Sequence, residues 1–126
     1  MRYSEHLCPR FQYAVALLSK RWNGLIVKAL LDGPARFNEL ADRLQVVADR
    51  VLAERLRELE AAGIVLRQVS TCMPVRVEYS LTAKGRDLTP VIEAIEAWSH
   101  QWIDPAIVGA TTGVADALDE EDAAEA

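Results

Sequence analysis

Apolar positions recur at helical spacing along most of the chain, give way once to β-branched alternation, and then return to helical spacing. Cys8-Pro9 opens the first predicted helix, because proline is favoured at the first helical position. Phe11, Ala14, Val15 and Leu18 follow at the period of an α-helix. A second helix is predicted from about 20 to 31, with Trp22, Leu25, Ile26, Ala29 and Leu30 inward. Asp32-Gly33-Pro34 stops it, glycine as the C-terminal cap and proline as the breaker. A third helix, about 36 to 44, places Phe37, Leu40 and Leu44 on one face, and positions 45–48 form a turn. A fourth spans about 49 to 62 and ends at Gly63. Positions 64–70 and 75–81 are rich in β-branched residues and predict two strands, with 71–74 as the tip between them. Thr82 can cap a last helix over about 83 to 103.

A short helix pair followed at once by a two-stranded ribbon is the layout of a winged helix-turn-helix, a DNA-binding module. The predicted fold is therefore α+β, mainly α, with a two-stranded wing and a C-terminal dimerisation helix. Residues 1–104 form the expected domain. Beyond Pro105 the chain turns to Ala, Gly, Thr, Asp and Glu, and 105–126 reads as an acidic, disordered tail. On the last helix Leu88, Val91, Ile92, Ile95, Trp98 and Trp102 form a nearly heptad stripe. Such a stripe exceeds what a small domain easily covers, so a dimer interface is preferred over ordinary core packing.

On a helical wheel the fourth helix sets Leu52, Leu56 and Leu59 on one side. Arg50, Glu54 and Arg57 lie nearly opposite, with Ala53 beside them. An exposed N-terminal half is what enters the major groove in a helix-turn-helix. There Arg50 and Arg57 can read guanine edges or clamp phosphates, and Glu54 can accept from a cytosine amino group. The same spacings also suit a solvated amphipathic face, with Arg50 and Glu54 as an ordinary i,i+4 pair. The wing carries Arg67 and Arg76, which suit the minor groove or backbone, or else pair with Glu78 across the hairpin. Arg36 and Asn38, at the start of the third helix, complete the expected DNA-facing set.

Charge changes the picture once it is divided. The 126 residues carry a net charge of -5, unpromising for a DNA binder. All 14 Lys and Arg lie in residues 1–86 with nine Asp and Glu, a net of +5, and residues 87–126 hold the other ten acids. The basic half is the one expected to face DNA. No leader and no long apolar run is evident, so a cytoplasmic protein without membrane contact is expected. Two cysteines, Cys8 and Cys72, are too few for a disulfide framework. Cys8 falls at the N-cap of the first helix, where the dipole favours a thiolate, with His6 and Arg10 near in sequence. It is either a redox-sensing thiol or a small residue that tolerates the cap, while Cys72 reads as incidental. His6, Cys8, Cys72 and His100 offer no compact metal spacing. No catalytic constellation or phosphate loop stands out, so neither an enzyme nor a cofactor is expected.

The chain resembles the HxlR-type winged helix-turn-helix regulators. The resemblance is carried by Cys8-Pro9, Arg21-Trp22, Leu30-Leu31-Asp32-Gly33-Pro34 and Arg36-Phe37-Asn38-Glu39-Leu40, then by Val51-Leu52 and Arg55-Leu56-Arg57-Glu58-Leu59-Glu60. It ends with Arg76-Val77-Glu78-Tyr79-Ser80-Leu81-Thr82 and Lys84-Gly85, and covers about residues 8 to 102. It implies a homodimeric transcription regulator, typically a repressor, on an inverted repeat of double-stranded DNA. Several members of the family sense oxidants or electrophiles through a cysteine just before the first helix, the position of Cys8. Two departures stand out: Ala48 where a polar cap is usual, and the acids Asp49 and Glu54 on the recognition face. Those acids favour the alternative, a winged-helix protein–protein interaction module without DNA binding.

Overall fold

The computed structural model describes residues 8–108. Its elements are α1 (Pro9–Ser19), α2 (Asn23–Leu31), β1 (Ala35–Arg36), α3 (Phe37–Arg43), α4 (Asp49–Ala61), β2 (Val65–Val69), β3 (Val77–Leu81), α5 (Ala83–Arg86) and α6 (Thr89–Trp102). Two units divide the chain, Met1–Thr89 and Pro90–Ala126. The first holds the helix-turn-helix and the sheet. The second holds all of α6 beyond Thr89.

The core of the first unit is a meeting of aliphatic stripes. Ile26, Val27 and Leu30 come from α2, Leu40 from α3, and Leu52, Leu56 and Leu59 from α4, none of them more than 3% exposed. Each such side chain contributes roughly 1.5–3 kcal/mol relative to exposure. Val65 and Leu81, opposite each other in the sheet, join the core from the base of the wing. The turn between α3 and α4 is tight: the Val47 amide bonds the Leu44 carbonyl at 2.8 Å and the Val47 side chain is buried. That burial fixes where α4 begins.

The structure departs from the periodic reading at several points. α2 starts at Asn23 rather than near 20, because Trp22 sits in the left-handed region at φ 79° and breaks the helix. That conformation costs a non-glycine residue on the order of 1–3 kcal/mol. Within α2, Ile26 and Leu30 are buried as expected, but Val27 is buried too and Leu25 is 45% exposed. The wing is also wider than two strands. β1 joins β3 in the antiparallel order β1-β3-β2, with Ala35 opposite Tyr79 and Arg36 opposite Glu78. Two residues are too few to show an alternation, so β1 left no pattern in the sequence.

The last predicted helix is in fact two. Pro90 has no N–H to give the Arg86 carbonyl four residues back. The Thr89 hydroxyl bonds that carbonyl instead, at 2.6 Å, and the chain turns at Asp87-Leu88. Thr82 caps α5 as expected, its Oγ1 accepting the Gly85 amide at 3.1 Å. Of the expected disordered tail, residues 105–108 are helical, and the Asp104 carboxylate accepts the Ala106 amide at 2.9 Å. Residues 109–126 lie outside the described residues, as does His6. Among the described residues, no helix is long and apolar enough to cross a membrane.

Candidate nucleic-acid interface

α4 presents two different faces. Leu52, Leu56 and Leu59 point into the core, and Arg50, Glu54 and Arg57 are exposed, with Ala53 half-buried beside them. Ala48 is the N-cap and offers no side-chain cap, so the first amides of α4 are left to solvent or to a ligand. Asp49, in the first turn, favours the helix dipole instead.

The basic residues divide by what they already hold. Arg43 donates to the Ala29 carbonyl at 3.3 Å, Arg86 to the Leu81 carbonyl at 2.9 Å, and Lys84 to the Ala62 carbonyl at 2.7 Å. The last of these satisfies a carbonyl at the C-terminal end of α4, where a cation is also favoured by the dipole. These cations are structural. By contrast Arg50, Arg57, Arg67 and Arg76 are exposed, and among the described residues their side chains take no hydrogen bond or ion pair. The i,i+4 pair of Arg50 with Glu54 is not formed. Nor is either wing arginine paired with Glu78. For Arg67 the register explains this, since it stands opposite Tyr79 and Glu78 stands opposite Gln68, on the other face of the ribbon.

Arg36 and Asn38 are both exposed at the start of α3. Arg36 is partly engaged there. The Glu39 carboxylate accepts its backbone N–H at 2.9 Å and its Nε at 3.3 Å. The bond from the backbone amide, then those from the guanidinium, hold the Glu39 carboxyl below its ordinary value of 4.5. At the tip of the hairpin Cys72 is exposed, its amide donating to Ser70 Oγ at 3.2 Å, and Met73–Pro74 is cis. An open cleft of about 570 Å³ lies on the wing, with Arg76, Glu78, Gln68 and Ser70 in its lining.

Cys8 is the N-cap of α1 and is exposed, with Pro9 following as predicted. The apolar face of α1 is not inward: Phe11 is 68%, Tyr13 62% and Val15 46% exposed, and no α1 residue is buried. On α6 Ile92 is buried, whereas Val91, Ile95, Trp98 and Trp102 are exposed, and Leu88, in the turn before it, is half-buried. Among the described residues, no cluster of three His, Cys, Asp or Glu is placed to hold a metal ion. The functional geometry that sequence reasoning missed is Arg55. The wheel assigned it no role, yet it is 8% exposed and its Nε donates to the Arg21 carbonyl at 3.0 Å. Its only sequence signal is a charged residue on the leucine side of α4.

A core-anchored helix with exposed arginines outward, followed at once by a ribbon carrying two more, defines a winged helix-turn-helix DNA-binding regulator. The profile of the HxlR-like helix-turn-helix family matches residues 17–107, and the chain belongs to that family. It is 51% identical over 108 residues to the HTH-type transcriptional regulator YvaP of Bacillus subtilis, covering 86% of this chain and 99% of that one. It is also similar to the B. subtilis transcriptional regulator YodB. The reduced form of YodB superposes with a TM-score of 0.73 at 46% identity, over 79% of this chain and 97% of the other. The quinone-bound form of YodB gives 0.68 at 45%, over 76% of this chain and all of the other. The chain is thus a transcriptional regulator, and its family is not one of enzymes.

Proposed function

We propose that this regulator is a cytoplasmic homodimeric repressor that binds an inverted repeat and is released when an oxidant or electrophile modifies Cys8. The observation that carries the DNA contact is the set of four exposed arginines on α4 and the adjoining hairpin, unpaired among the described residues. Arg50 and Arg57, with Ala53 and Glu54, read the major groove; Arg67 and Arg76 hold the backbone or minor groove; Arg36 and Asn38 add contacts from α3. Dimerisation is supported by the exposed apolar faces of α1 and α6. In this assembly Val91, Ile95, Trp98 and Trp102 contribute to the interface, whereas Ile92, expected there from the stripe, is already buried within the chain and Leu88 is half-buried.

Two arginine variants test the reading. Arg50→Ala is expected to weaken binding by about 1–3 kcal/mol and to relax preference at one base position. Arg76→Ala is expected to weaken all duplexes alike and to flatten the salt slope by about one unit. Titration of duplex libraries at several salt concentrations separates the two effects. Equal affinity for every duplex, untouched by either change, favours the interaction module that Asp49 and Glu54 suggest.

Cys8 is proposed as the sensing thiol because it is exposed and begins α1, and because YodB, 46% identical, has a quinone-bound form. Limited alkylation at neutral pH followed by mass analysis is expected to find Cys8 modified before Cys72. The reverse order would remove the reason to prefer Cys8.

A further inference from the structure

α1 has no buried residue, yet its C-terminal end is tied by directed polar bonds to the inner side of the recognition helix. Lys20, just past α1, places Nζ 2.9 Å from Glu58 Oε1, and the same oxygen lies 3.5 Å from a terminal nitrogen of Arg55. The Nε of Arg55 donates to the carbonyl of Arg21 at 3.0 Å. One guanidinium therefore spans the α1–α2 linker and α4. Asn23, fully buried, holds the other side of the linker by donating to the Leu17 carbonyl at 2.8 Å. The linker itself is stiffened by Trp22 in its left-handed conformation and by the Arg21 guanidinium 4.3 Å from the Trp22 ring centre.

An aliphatic residue at position 55 would suit the leucine face of α4 better than a cation, since burying a charge is costly. A guanidinium fork supplies what an aliphatic contact lacks, a fixed direction. Apolar surfaces slide, whereas the fork permits one register between the linker and α4. Arg55 and Glu58 also follow Glu54 and Arg57 directly in sequence. A shift of the linker carbonyl would thus be felt as a rotation of the face that carries Arg50, Glu54 and Arg57.

We infer that Arg55, Glu58 and Lys20 form a latch through which the state of α1 sets the orientation of the recognition helix. Arg55 is a positioning residue, one that acts on DNA only through α4. This deepens the Cys8 reading and rests on it. The test uses the full chain in a Cys72→Ser background, so that Cys8 is the sole thiol. N-ethylmaleimide labels it: the sulfur adds to one carbon of the maleimide double bond and the thiol proton passes to the other. Binding is measured on an inverted-repeat duplex selected with the unlabelled protein. Labelling the parent is expected to weaken binding by about 5- to 150-fold, the usual range of coupling between two sites.

Glu58→Gln and Lys20→Met alter half-exposed partners, with side chains 40% and 43% exposed. Thermal unfolding checks that these variants fold. Both are expected to bind like the parent before labelling and to lose little affinity after it. Arg55→Lys, which keeps the charge without the fork, is expected to uncouple in the same way. Variants weakened by labelling as much as the parent would overturn the latch and leave the sensing reading intact. A labelled parent that binds undiminished would overturn the sensing reading, and the latch with it.

Discussion

A chain carrying Ile95→Asp and Trp98→Asp is expected to sediment as a monomer at micromolar concentration, where the native chain sediments as a dimer. Val91, Ile95, Trp98 and Trp102 recur on one side of α6 and are 41%, 56%, 59% and 66% exposed in the single chain. Exposure on that scale is unusual for two tryptophans so close together. Burying each such side chain against a second copy contributes roughly 1.5–3 kcal/mol. Two carboxylates placed there would have to be desolvated without partners, which reverses the sign of the interface energy. The DNA consequence is larger than the loss of one contact. A dimer engages the second half-site at the high effective concentration set by the first, an advantage on the order of 10²–10⁴. The monomer is expected to lose that factor on an inverted repeat while keeping its affinity for a single half-site. A native chain that sediments as a monomer would contradict the prediction.

Gly85→Ala is expected to destabilise the wing's attachment without touching any residue of the proposed DNA-facing set. A Cβ at Gly85 would fall 2.3 Å from the carbonyl oxygen of Ile64 and 3.1 Å from Leu81 Cδ2. The Ile64 carbonyl cannot easily withdraw, because it accepts the Thr82 amide at 3.0 Å and Ile64 is itself buried. Overpacking of this kind costs about 1–3 kcal/mol. In a domain of this size each kcal/mol lowers the melting temperature by roughly 4–8 °C. Calorimetry or circular dichroism reads the shift directly. An unchanged melting temperature would mean that α5 moves away from Ile64 at no cost.

These two sites mark the boundary of what the sequence reveals. The exposed stripe on α6 was legible because Trp and Ile at helical spacing cannot all be covered by a small domain. The leucine face of α4, its turn from α3, and the hairpin were legible for a similar reason: periodicity reports burial. Gly85 was visible only as part of a family resemblance, and its close approach to Ile64 depends on a contact between strand, loop and helix that no local pattern encodes. β1 escaped because it is two residues long. The break between α5 and α6 was marked by Pro90, but the apolar stripe ran across it and suggested continuity. Arg55 escaped for the opposite reason. Its charge argued for the surface, and the carbonyl that justifies its burial lies 34 residues away, at Arg21.

The division of the cations has the same origin. Sequence placed all 14 Lys and Arg in residues 1–86 but could not say which of them were already occupied. Arg43, Arg55, Lys84 and Arg86 hold backbone carbonyls. Arg50, Arg57, Arg67 and Arg76 hold nothing among the described residues. A DNA-binding regulator needs both groups. The first fixes the frame, and the second is the group proposed to meet phosphate and base.

The most direct test of the account is the affinity of the reduced chain and of Cys8→Ser for a selected inverted repeat, before and after exposure to a quinone. Both are expected to bind the repeat when untreated, the quinone to release the native chain, and Cys8→Ser to remain bound. Release of Cys8→Ser to the same extent as the native chain would contradict the account.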